Sequence, residues 1–148
     1  MIRYVKGLVG AFLVFAATYA LGVVWVVLLE GQPHRILEFL APGVFFATPS
    51  VLALAIVVGP LLVAVRRLLG GRLPLIPAAL FGATAGLGLV LLFWSAFRER
   101  DETLVALFQF WRRVPGEFLL GVLPHVTAAA FFCVWLSSAR PRLKLRAA

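Results

Sequence analysis

The sequence predicts an all-α membrane protein: four transmembrane helices in an antiparallel bundle, with an additional amphipathic interfacial helix in the outer loop between spans three and four. Three observations lead there. Of the 148 residues, 63% are hydrophobic and only 14% charged. The charges are confined to short segments separating four long charge-free intervals, and the basic residues are shared unequally between alternate connections. A mean hydropathy of +1.04 is too apolar for a soluble domain of ordinary composition.

The four intervals are Gly7 to Leu29 (23 residues), Phe39 to Val65 (27), Leu73 to Phe97 (25) and Phe118 to Ala139 (22). Each is long enough to cross a hydrocarbon layer about 30 Å thick at about 1.5 Å of helix rise per residue. Backbone groups have no water to bond in lipid, so such segments must be helical. The alternation of a membrane β-strand is missing from them.

Span one covers about 7-29 and follows Arg3 and Lys6. A basic start and Thr18-Tyr19-Ala20 suggest a cleavable leader, but the apolar run continues for nine residues, from Leu21 through Trp25 to Leu29. That is too long for a leader's hydrophobic region, so the segment reads as an uncleaved anchor. In the first outer loop, Ile36, Leu37, Phe39 and Leu40 suggest a short amphipathic turn, followed by Pro42-Gly43-Val44-Phe45-Phe46 dipping toward the bilayer.

Span two is expected over about 49-69, with Thr48 as N-cap and Pro49 at the first helical position, where a missing N–H costs nothing. Gly70-Gly71 supplies a left-handed cap after it. The connection Arg66 to Arg72 is short, which predicts that spans two and three form a tight antiparallel hairpin. Span three, about 75-97, opens at Pro74 and Pro77 and carries Gly82-x-x-x-Gly86 among many alanines, a pattern that lets a neighbouring backbone approach closely. Span four, about 117-138, follows Pro115-Gly116 and contains Ala128-Ala129-Ala130. Pro60 and Pro124 each remove a backbone hydrogen bond and are expected to kink spans two and four.

Over about 98-114, Leu104, Leu107, Phe108 and Trp111 recur at helical spacing, with Glu102, Thr103, Gln109, Arg112 and Arg113 largely on the other face. This predicts the interfacial helix. Its apolar face caps the bundle at headgroup depth or docks another membrane subunit or a lipid-like ligand.

Nine basic residues (Arg3, Lys6, Arg66, Arg67, Arg72, Arg140, Arg142, Lys144, Arg146) flank the spans on one side and five (Arg35, Arg98, Arg100, Arg112, Arg113) on the other. The basic excess places both termini in the cytoplasm, in what reads as a bacterial inner membrane. All six acids fall on the outer side, in keeping with this. The +8 net charge is therefore read as lipid-headgroup contact and topology control; no nucleic acid is expected.

The chemistry expected is sparse. The single cysteine, Cys133, excludes an intrachain disulfide and a cysteine-based metal site. No span holds the acid or base that moving charge through lipid needs, and no nucleophile has a nearby base. His125, beside Pro124, is the one titratable side chain well inside a span. It is expected to be a neutral histidine hydrogen-bonded across helices, and is otherwise a weak candidate for holding a quinone or another ligand. Axial haem ligation by two histidines would need a second histidine inside the bundle, and the only other, His34, lies in a loop. Thr84, Ser95 and Thr127 are likewise expected to bond between helices. No cofactor or metal is assigned.

The basic turn Val65 to Arg72 leading into a Gly/Ala-rich third helix resembles small bacterial four-helix membrane proteins, a likeness of plan that implies no activity. The expected role is that of a non-enzymatic accessory or structural subunit of a membrane complex. Its partners would be the lipid bilayer and another membrane protein or a second copy. The alternative is a small transporter or binding protein for a hydrophobic ligand such as a lipid or quinone.

Overall fold

The computed structural model describes residues 1–31, 34, 36–71, 73–97, 116 and 120–138. Their regular structure is helical: α1 (Ile2–Glu30), α2 (Ile36–Ala53), a π turn (Leu54–Val58), α3 (Gly59–Leu68), α4 (Leu75–Phe97) and α5 (Leu123–Ser137). Three continuous helical stretches, Ile2–Leu29, Ile36–Leu68 and Leu75–Leu92, are long and apolar enough to cross a membrane, and α5 is a shorter apolar helix. The expected interfacial helix over 98–114, with Leu104, Leu107, Phe108 and Trp111, lies outside the described residues.

α1 runs unbroken through Thr18-Tyr19-Ala20 and ends on Gly31, whose backbone (φ 66°) is left-handed and whose N–H closes on the Val27 carbonyl. The second helix differs from expectation. It begins at Ile36, well before Thr48-Pro49, and carries Pro42 and Pro49 within it. Tertiary packing explains why the local helix-breaking signals lose. Gly43 lies directly under the Tyr19 ring and Ala47 is buried, so α2 is held against α1 over the stretch between Pro42 and Pro49. What reads in sequence as a short turn and a dipping loop is continuous helix.

Pro60 acts through the π turn. In that turn the Gly59 N–H bonds back to the Leu54 carbonyl, five residues away, so the next bond in register would join residue 60 to the Ala55 carbonyl. Proline has no N–H to give. The Tyr4 hydroxyl of α1 donates to that Ala55 carbonyl instead. Gly59 makes room for the phenol, since a Cβ there would overlap the Tyr4 hydroxyl.

α3 ends as the Gly70-Gly71 pair predicts. Both glycines are left-handed (φ 71° and 83°), with Gly71 N–H on the Arg66 carbonyl (2.6 Å) and Gly70 N–H on that of Arg67 (3.3 Å). This is the paired hydrogen-bond arrangement of a Schellman cap. Pro124 does not kink a continuous helix. The chain turns at Val122 and α5 restarts with Pro124 in its first turn, where a missing N–H is tolerated.

α5 is the hub. It packs along α4 and along α1, and also meets the π turn, while α1 packs along α2. The registers are antiparallel: Gly7 and Gly10 of α1 face Trp135, Phe132 and Phe131 of α5, and Gly82 and Gly86 of α4 face Ala129 and His125. Among the described residues, α4 has no extensive packing with α2 or α3, so the expected tight hairpin of spans two and three is not formed along their length. α5 is the neighbour α4 takes instead. The buried core collects Ala11, Phe15, Val23, Leu54, Val58, Leu62, Phe132 and Cys133 about α1, the second helix and α5.

Candidate functional site

Three places hold the residues singled out by sequence. The first is the seam between α4 and α5. An ideal Cβ on Gly82 would lie 2.6 Å from the Ala130 Cα, and one on Gly86 would lie 2.7 Å from the His125 carbonyl oxygen and 2.8 Å from the Val126 Cα. Both distances are below contact with backbone that cannot swing aside. Glycine at these two positions is therefore what sets the separation of the helices. The Gly82-x-x-x-Gly86 face is used within the chain. Gly88, two residues past Gly86 and so off this face, meets nothing.

The second is His125, in the first turn of α5 and backed by Gly86. Its ring stands edge-on to Phe15 (centroids 5.0 Å, 83° between planes), and Phe15 stacks on Tyr19. Nδ1 is buried and has no hydrogen-bond partner. The expected cross-helix bond is therefore not made through Nδ1, because the α1 face opposite His125 presents an aromatic edge rather than a polar group.

A polar contact between α1 and α5 occurs nearby, where the hydroxyls of Thr18 and Thr127 are 3.2 Å apart. Each also sits in range of its own helix's carbonyls, Thr18 at 2.7 Å from Val14 O and Thr127 at 2.9 Å from Leu123 O. A hydroxyl has one proton, so one of the two gives up its intrahelical bond whenever they bond each other. Thr84, also expected to bond across helices, is exposed and donates only to the Leu80 and Phe81 carbonyls of its own helix. The Ser95 side chain lies outside the described residues.

The third is a basic end that sequence reasoning treated only as flanking charge. The last carbonyls of α5 accept arginines from two other elements: Arg3 donates to Trp135 O (2.9 Å) and Arg66 to Leu136 O (2.8 Å). Arg3 also reaches the Ser138 hydroxyl (2.9 Å) and lies over the Trp135 ring (5.8 Å), and the Trp135 indole N–H returns a bond to the Arg3 carbonyl (3.1 Å). Cations at a helix C-terminus satisfy orphan carbonyls and complement the dipole. The available signal was the expected basic sidedness, which groups Arg3, Arg66 and the end of span four together.

Among the described residues, no group of three or more histidine, cysteine, aspartate or glutamate side chains is placed to hold a metal ion. Cys133 is buried in the core. No family model, curated protein or solved structure matches this chain.

Proposed function

We propose that this chain is an integral membrane protein with four spans and both termini in the cytoplasm, and that it serves as a non-enzymatic accessory or structural subunit of a membrane complex. The observation that carries the reading is the inversion of polarity across the helices. Large aliphatic side chains face outward, with Leu21 70%, Ile56 71% and Ile76 74% exposed, while glycine, alanine and a few aromatics fill the seams between helices. Outward-facing aliphatics at this density suit lipid or another membrane helix as solvent. The amphipathic segment with Leu104, Leu107, Phe108 and Trp111 is the surface proposed to meet the partner, at the outer interface.

Purification of the full chain in mild detergent, with mass spectrometry of what accompanies it, tests this. A co-purifying membrane protein lost on Leu107→Glu and Trp111→Ala supports the subunit reading. A clean monomer without a partner sinks it.

The second reading is a small binding protein or transporter for a hydrophobic ligand, and the observation favouring it is the buried, unpartnered Nδ1 of His125. A bound lipid or quinone that disappears on His125→Ala would move this reading ahead of the first.

A further inference from the structure

We infer that an open cleft at the end of α3 holds the phosphate of an anionic lipid headgroup, with the lipid's chain lying along the exposed apolar face of the same helix. The inference rests on the membrane reading above. The cleft has a volume of about 210 Å³ and is lined by Val63, Arg66, Arg67 and Gly71.

Its two cations are differently prepared. Arg66 is fixed: one terminal nitrogen donates to Leu136 O (2.8 Å) and the other to Gly71 O (3.3 Å). A guanidinium carries five N–H donors in a rigid fork, so this clamp positions the group and leaves donors over. Arg67 is exposed and has no hydrogen-bond or ion-pair partner among the described residues. One arginine is thus held in place, and its neighbour, without such a bond among the described residues, can turn toward an anion. The Gly70 and Gly71 N–H groups are taken by the helix cap, so the turn offers no backbone anion site and the side chains must supply the binding.

The apolar half of the argument decides the class of ligand. Ile56, Pro60, Val63 and Arg67 follow one another at helical spacing, and Ile56 and Val63 are 71% and 41% exposed. A stripe that runs from aliphatic side chains to a cation at its end matches a molecule with a chain at one end and a phosphate at the other. A free phosphate would use only the arginines. Basic pockets beside membrane helices on the cytoplasmic side take anionic headgroups by this combination of charge and apolar contact.

The test uses the full-length protein in an uncharged detergent, titrated with short-chain phosphatidylglycerol, short-chain phosphatidylcholine or inorganic phosphate, with bound adducts read by native mass spectrometry. Phosphatidylglycerol is expected to bind best. Arg67→Gln should weaken it about fivefold, the worth of one basic residue at an anionic surface, and leave phosphatidylcholine unchanged. Arg67→Lys should fall between, keeping the charge and losing the fork. Lys6→Gln removes the same charge from exposed α1 surface outside the cleft and should change binding less than about twofold.

Equal loss in the Lys6 and Arg67 variants would overturn the site in favour of diffuse attraction. Inorganic phosphate competing at the same concentration as phosphatidylglycerol would overturn the lipid assignment. A chain recovered from cells in the soluble fraction without detergent would overturn the membrane reading itself, which is distinct from a membrane-bound chain that shows no headgroup preference.

Discussion

Tyr4 repairs a defect that lies 51 residues away in sequence, the Ala55 carbonyl that Pro60 leaves without an amide. A buried acceptor without a donor costs about 1–3 kcal/mol, and bonds between membrane helices average about 0.6 kcal/mol. Tyr4→Phe is therefore expected to lower stability by about 1 kcal/mol, read as a fall in the unfolding midpoint in mild detergent. Pro60→Ala restores an N–H that can take the Ala55 carbonyl. In that background the cost of Tyr4→Phe should shrink by at least about half; equal costs in both backgrounds would show that the hydroxyl does not act through the Ala55 carbonyl. Thr18→Val and Thr127→Val address the other interhelical polar pair. Each should cost no more than about 0.6 kcal/mol, because the intrahelical carbonyl bond of the remaining threonine takes over. The Tyr4 bond is not readable from sequence, since a tyrosine near a basic terminus more often signals an interfacial anchor; that Thr127 bonds across helices was expected, but not that Thr18 is its partner.

Between elements, the glycines separate close approach from empty space. Gly86→Leu forces a side chain into the backbone of α5 and should cost about 1–3 kcal/mol as the α4–α5 seam opens. Gly88→Ala, two residues further and off the seam, meets nothing and should be neutral or slightly stabilising, as replacing a helical glycine commonly is. The motif spacing named Gly82 and Gly86 in advance, but it did not say which helix they face. Chain order suggested span two, through the short turn at Arg66 to Arg72. The helix that fits is α5, whose Ala129 and Ala130 present small side chains to the glycines.

Local signals fared unevenly for the same reason. The Gly70-Gly71 cap is a self-contained turn and appears as the sequence indicates. The Thr48-Pro49 start does not appear, because the packing of Gly43 and Ala47 on α1 outweighs two prolines. The α2 to α3 stretch of 33 residues is about 50 Å long at helical rise, well beyond a layer about 30 Å thick, so in a bilayer it would have to tilt or extend past the hydrocarbon.

At the scale of the molecule, the ends of the helices sort by charge. Arg3, Arg66 and the end of α5 meet through direct hydrogen bonds, so the amino terminus, the α3–α4 turn and the carboxyl end of α5 share one end of the structure. On the proposed membrane reading, the nine-to-five division of basic residues would place that end in the cytoplasm. A reporter enzyme fused after Ala148 that is active only in the cytoplasm should be active; activity from a periplasm-dependent reporter at the same position would overturn the orientation. Arg66→Gln should lower stability more than Arg67→Gln, because only Arg66 caps α5.

The sequence by itself determined the helical class and the apolar segments, because both depend on composition and chain-local spacing that no fold can alter. It also marked the glycines able to admit a neighbour and the histidine set apart inside a span. Only the tertiary structure decided that α5 is the hub, that α4 leaves α3 to pack on it, that His125 meets an aromatic edge, and that Tyr4 and two arginines complete backbones far along the chain. The physical reason is that helices of similar apolarity are nearly interchangeable as lipid-facing rods. Which ones pair depends on the steric fit of small residues and on carbonyls left unbonded at prolines and helix ends, and both are properties of two elements at once.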